Sequence, residues 1–161
     1  MNNKGNVALI ATIVVAIIIV ILLFVILIFM GQVNSLLYNI KLDMYSINKS
    51  AIIAVNKGIT SREKFSYDKK EYKEYFTKML ISNYNLNENL ENKDGIVQCV
   101  RIVEYEIYPP GKRDKYTKTR QNDRVIHSVI EVRIKPIILS EYLEDTFTFE
   151  IHEDVILNTL I

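Results

Sequence analysis

The hydrophobic pattern changes character three times along the chain. From Val7 to Met30 there is no charge, and Thr12 is the one polar side chain in 24 positions. As a helix rising about 1.5 Å per residue, this stretch reaches roughly 36 Å and exceeds a hydrocarbon core of about 30 Å. It predicts a membrane span with some tilt. A cleaved secretory signal has a shorter apolar region, about 7 to 15 residues, that ends in a small-x-small site. Here the exit reads Phe29-Met30-Gly31-Gln32-Val33, so an uncleaved signal anchor fits better.

Beyond the span, apolar residues fall at Val33, Leu37, Ile40, Met44, Ile47, Ala51 and Ala54, with gaps alternating between four and three. That stripe predicts an amphipathic continuation of the same helix. Lys57-Gly58 supplies a cation and a residue tolerant of left-handed dihedrals where the helix should stop. A second helix begins at Asp68, where Asp68-Lys69-Lys70-Glu71 fits a capping box and Tyr67 and Tyr72 sit at hydrophobic-staple positions. Its apolar side reads Tyr72, Tyr75, Phe76, Met79 and Leu80. Asn83 to Asn92, followed by Lys93-Asp94-Gly95, reads as loop and turn.

From Ile96 the period becomes two. Ile96 to Tyr108 forms one strand, ended by Pro109-Pro110-Gly111. In the next, Ile126, Ser128, Ile130, Val132 and Ile134 share a face opposite His127, Glu131, Arg133 and Lys135. Phe147, Phe149 and Ile151 alternate with Thr148, Glu150 and His152 in a third. The expectation is an α+β fold in which a long amino-terminal helix, transmembrane in its first half, packs on an antiparallel meander of about three strands with one buried face. The segments are residues 1–6 as leader or cytoplasmic tail, 7–30 as span, 31–58 as amphipathic continuation and 59–161 as an extracytoplasmic α+β domain. Lys4 and the α-amine precede the span, and Lys41, Asp43 and Lys49 follow it, a near tie in flanking cations. The orientation therefore rests on the span's place near the start, where it acts as a signal anchor with the domain outside.

Composition narrows the class. The chain has 161 residues and a formal net charge of +1, and every charged side chain lies outside the apolar stretch. Disorder is excluded by the low net charge and abundant Ile, Val and Tyr, and a disulfide scaffold by the single cysteine, Cys99. No phosphate loop, dinucleotide fingerprint or nucleophile elbow is present, and neither histidine belongs to a close ligand cluster of the kind zinc needs. The sequence thus points away from an enzyme and calls for no cofactor. His127 and His152 are expected to face solvent, and Cys99 to be a small strand hydrophobe. Asn48-Lys49-Ser50 matches a glycosylation acceptor but falls inside the helix. The ten tyrosines follow helix or strand periodicity, which favours packing over stacking on bases, and nothing suggests nucleic acid.

Charge placement is more informative. Lys112, Arg113, Lys115, Lys118, Arg120 and Arg124 face only Asp114 and Asp123 between the first two strands, a balance of +4. Residues 140–161 hold Glu141, Glu144, Asp145, Glu150, Glu153 and Asp154 with no Lys or Arg, a balance of −6. Solvated loop and edge is the default reading. The sharper one makes the loop an interaction site and Glu150, Glu153 and Asp154 an acidic partner surface. Opposite charges would then meet between subunits, or the loop would hold an anionic envelope polymer.

At Lys4-Gly5-Asn6, followed at once by the apolar run, the chain resembles type IV pilin-like proteins and is most similar to the TadE-like minor pilins of tight-adherence systems. The resemblance implies cleavage of a short basic leader after Gly5, which leaves Asn6 as the new terminus. It also implies an apolar helix that first anchors the subunit in the lipid bilayer and then packs against other pilin-like subunits in a homo- or hetero-oligomer. The family usually carries Glu at the fifth mature position; here Ile10 stands. Three functions remain open at this point: a pilin-like subunit or assembly component of an envelope appendage, a single-pass membrane-anchored binding or sensory domain, and a membrane-bound hydrolase whose polar cluster only the fold could assemble.

Overall fold

The computed structural model describes residues 3–55, 68–113, 118, 120, 122–135 and 146–157, with side chains from residue 7 onward. It divides into two compact units, Met1–Leu36 and Leu37–Ile161. One helix, α1 (Asn3–Val55), supplies the first unit and opens the second.

In the first unit nearly every side chain from Val7 to Met30 is exposed, with only Val25 and Phe29 half-covered. A helix that is apolar all round is stable only in an apolar surrounding. The one polar side chain is already satisfied, since Thr12 Oγ1 donates to Ala8 O at 3.0 Å, the local bond that lipid demands of a hydroxyl. By length and composition this segment fits a single-pass membrane anchor.

The second unit is built on the amphipathic turns of α1. Ile40, Met44, Ile47 and Ala51 are buried as the stripe predicts, but Ala54 is exposed and Asn48, Ile52 and Val55 are buried instead. The reason is geometric: a 3.6-residue turn drifts about 20° per heptad from a 3.5 repeat, so the buried face moves one residue along. The expected stop at Lys57-Gly58, like Tyr67 of the staple, lies outside the described residues.

Helix α2 (Lys69–Tyr84) starts where the sequence places it, with Asp68 Oδ1 accepting from Lys70 N at 2.7 Å and Glu71 N at 3.3 Å. It ends at Asn85, whose left-handed backbone (φ 51°) lets its N–H reach Ile81 O. Tyr72, Phe76 and Leu80 are its buried side chains. The Asn-rich stretch is a pair of side-chain-capped turns. Asn87 Oδ1 accepts from the amides of Asn89 and Glu91, and Asn92 Oδ1 from those of Asp94 and Gly95. Any Cβ on Gly95 would stand 2.6 Å from Asn92 Nδ2, so a larger residue there must displace the Asn92 side chain that caps the turn.

Strands β1 (Val97–Tyr108), β2 (Val125–Ile134) and β3 (Phe147–Ile156) form an antiparallel sheet in the order β1-β2-β3. Ser128 bonds to α1, so Ile126, Ile130, Val132 and Ile134 share the helix-facing side with it. Two β-bulges in β1, between Val97 and Cys99 and between Ile102 and Glu104, reset the alternation. Val100 and Ile102 therefore pair with helix-facing partners, and so do Tyr105 and Ile107 beyond the second bulge. The expectation of one buried face fails at the centre: Val125 to Ile130 are all buried, on both sides of β2.

Helices and sheet are tied together at Asn48, which is fully buried. Its Oδ1 accepts from the Tyr72 hydroxyl of α2 at 2.5 Å, and its Nδ2 donates to Ser128 Oγ of β2 at 2.6 Å. A second tyrosine, Tyr84, donates to Asp43 Oδ2 at 3.0 Å. Burial first, and then the Asp43 carboxylate, push the Tyr84 phenol well above its ordinary value, which keeps it a donor. The Asn48 amide is thus committed to the core and is no glycan acceptor in the folded domain. Replacing Asn48 by Ala removes the group that both hydroxyls bond, and each buried polar group so abandoned costs about 1–3 kcal/mol. Denaturant unfolding of Asn48→Ala should show a loss of about 2–4 kcal/mol, and the added cost of Tyr72→Phe in that background should be smaller than in the parent chain.

Candidate functional site

Part of the basic segment between β1 and β2 is described: residues 109–113, 118, 120 and 122–124. Arg113 and Arg120 form an antiparallel bridge, Arg113 Nε donates to Lys118 O at 2.6 Å, and Lys118 takes a left-handed turn conformation (φ 59°). Lys112, Arg113, Lys118 and Arg120 are all exposed, while Lys115 lies outside the described residues. Lys112 is held back on β1. Its Nζ meets Glu106 Oε1 at 2.7 Å and stands 5.0 Å from the Tyr108 ring centre. That hydrogen bond holds the Glu106 carboxyl below its usual range. Arg113, Lys118 and Arg120 form the outward part of the described segment.

The three acidic candidates on β3 do not form one surface. Glu153 lies on the helix-facing side opposite Ser128, 3.7 Å from Lys41 Nζ of α1, with its side chain 12% exposed. Burial raises its carboxyl above the ordinary value, and the neighbouring Asp154 adds to this while Lys41 opposes it. Glu150 and Asp154 lie on the other side of the sheet. Glu150 is half-exposed and bonds His152 Nε2 at 2.8 Å. Asp154 Oδ1 lies 2.5 Å from His127 Nδ1.

His127 corrects the sequence reading, because it is 1% exposed where a solvent-facing residue was expected. It is the third residue of β2, the central strand, with the rings of Tyr108 at 6.2 Å and His152 at 5.8 Å on the neighbouring strands. Alternation alone reports which side of a sheet a residue takes, and not whether that side is covered. His152 remains partly exposed, as expected. Cys99 is half-buried on β1. Among the described residues no three His, Cys, Asp or Glu side chains converge as metal ligands would.

Gly5 and Asn6 lie in the first turns of α1. Beside β3, a groove of about 400 Å³ runs between the first turns of α1 in the second unit and the sheet edge, lined by Leu37, Tyr38 and Lys41 and by residues 149–152. Periodicity assigned these residues to separate elements and gave no sign that they adjoin. Compared with protein-family models, curated proteins and solved structures, the chain matches none.

Glu153 makes stability depend on pH. The folded domain holds this proton more tightly than the unfolded chain does, so Glu153 adds stability that is complete below its ordinary value of 4.5 and lost as pH rises through the higher folded value. Once ionised, the largely buried carboxylate is a net cost. Glu153→Gln should therefore raise the melting temperature at pH 7, and the gain should vanish as pH approaches 4.

Proposed function

We propose that this chain is a pilin-like minor subunit or assembly component of a bacterial envelope appendage, held in the cell membrane by residues 7–30 with its α+β domain outside. The observation that carries the reading is the helix α1. From Val7 to Met30 it is apolar on every side and nearly all exposed, and its later turns contribute Ile40, Met44, Ile47, Ala51, Ile52 and Val55 to the core of the folded domain. Such a helix can exchange lipid neighbours for the apolar helices of other subunits, whereas the amphipathic turns are already occupied by their own sheet. The order of elements, long helix, short helix and antiparallel meander, agrees with the pilin-like layout. Ile10 changes one detail: with no carboxylate at that position, helix association draws on apolar packing alone.

Two measurements test this. Protease added to wall-stripped cells should digest residues 32–161, and mass spectrometry of the membrane-extracted protein should find a chain beginning at Asn6. A chain that retains Met1 or Asn2 and remains a monomer in the membrane would instead support a single-pass anchored binding domain. Protection of the domain until lysis would reverse the orientation.

A further inference from the structure

We infer that the amphipathic turns of α1 pair, side by side and in the same direction, with those of a second copy of this chain through an exposed stripe centred on Tyr38, Leu42 and Tyr45. The inference rests on the anchor and assembly proposed above. The sheet occupies one side of these turns. On the far side Tyr38, Leu42, Tyr45 and Ile53 are 63%, 51%, 37% and 48% exposed. Among the described residues of the second unit, the other large apolar side chains exposed are Tyr75, Ile96, Val103 and Ile156, which are scattered over α2, β1 with its approach, and β3. Single exposed apolar residues are ordinary, whereas an aligned set marks a contact surface.

The spacing indicates what kind of element the stripe fits. With Lys49 it runs 38, 42, 45, 49 and 53, gaps of 4, 3, 4 and 4. At 3.6 residues per turn these positions keep to a band roughly 80° wide. A band this narrow is the seam of paired helices, and a helix face that packs on a sheet is wider. The charges on its flanks are engaged by the domain itself, Lys41 toward Glu153 of β3 and Asp43 with the Tyr84 hydroxyl of α2. Lys49 is the one charge within the stripe. Its stem can lie along the apolar surface with the ammonium in solvent, and a single lysine in such a seam sets register at a cost in stability.

A second copy is the partner that the anchor supplies. Tyr38 follows Met30 by eight residues on the same helix. Copies held by residues 7–30 in one bilayer point the same way, so each offers its neighbour the same stripe running in the same direction. A seam of this length is short for helices that meet in solution, but anchoring in one bilayer raises the effective concentration of the second contact. The pair is isologous, and position 49 of one copy faces position 49 of the other.

The test uses the full chain in its membrane, with Cys99→Ser as background. Leu42→Cys should give, on oxidation, a dimer that goes no higher, because two copies of one seam position come within disulfide reach, a Cα separation below about 7 Å. Glu74→Cys, exposed on α2, should give little. Tyr38→Glu with Tyr45→Glu should reduce the Leu42→Cys dimer at least about tenfold, with melting temperatures checking that each variant is folded. Chains with Lys49 and chains with Lys49→Glu, expressed together, should pair with each other about fivefold more often than chance at low salt, the size of one exposed ion pair, and less so at high salt. A dimer that ignores the two glutamates, or mixing at the random ratio, overturns the inference. Quenching of a label at Leu42→Cys by nitroxide lipid headgroups, with no dimer formed, gives the stripe to the bilayer surface and overturns it too. If Leu42→Cys cross-links no better than Glu74→Cys while Val20→Cys still cross-links copies, the stripe contact is removed and the proposed assembly stands. Absence of both cross-links removes both.

Discussion

The carboxamide of Asn48 is the constraint around which the folded domain is arranged. It lies on the buried face of a helix otherwise lined by Ile40, Met44, Ile47, Ala51, Ile52 and Val55, where a polar group is tolerated only with its bonds made. Those bonds come from two other elements, Tyr72 on α2 and Ser128 on β2. An apolar face can slide against a sheet at small cost, but a buried amide with two partners has one register. Asn48 thus fixes where α1 lies on β2 and where α2 lies on α1. Lys41–Glu153 and Tyr84–Asp43 add further helix contacts consistent with that register.

This arrangement gives α1 two different jobs. Its amphipathic turns cannot leave the sheet without abandoning the Asn48 bonds, whereas nearly every side chain from Val7 to Met30 is exposed. In the proposed function, the apolar turns would supply most of any association, because exposed charges contribute little affinity and are screened by salt.

Much of this was legible in the residues. The uncharged stretch, the Asp68 cap and the three strands follow from composition, capping chemistry and period, and the strands begin and end within a residue or a few of where the pattern puts them. What escaped detection depends on partners distant in sequence. Asn48 read only as part of a glycosylation-acceptor match inside the helix, because its value lies in Tyr72 and Ser128. His127 read as solvent-facing because alternation does not reveal that Tyr108, His152 and Asp154 of the neighbouring strands close around it. The bulge beside Val103 shifts the parity of β1 with no Gly or Pro to announce it. Glu153 and Asp154 read as one acidic patch, yet adjacent strand residues take opposite sides, and that signal was available in the period of two.

Amide hydrogen exchange on the full chain in lipid nanodiscs tests most directly whether the amphipathic half of α1 is part of one cooperative unit with α2 and β2. Amides of residues 40–55, of α2 and of β2 should open with a common free energy, and Asn48→Ala should lower all three together. If residues 40–55 exchange at a distinctly lower free energy than β2, or if Asn48→Ala weakens α1 alone, then α1 is merely laid against the sheet and Asn48 does not organise the domain.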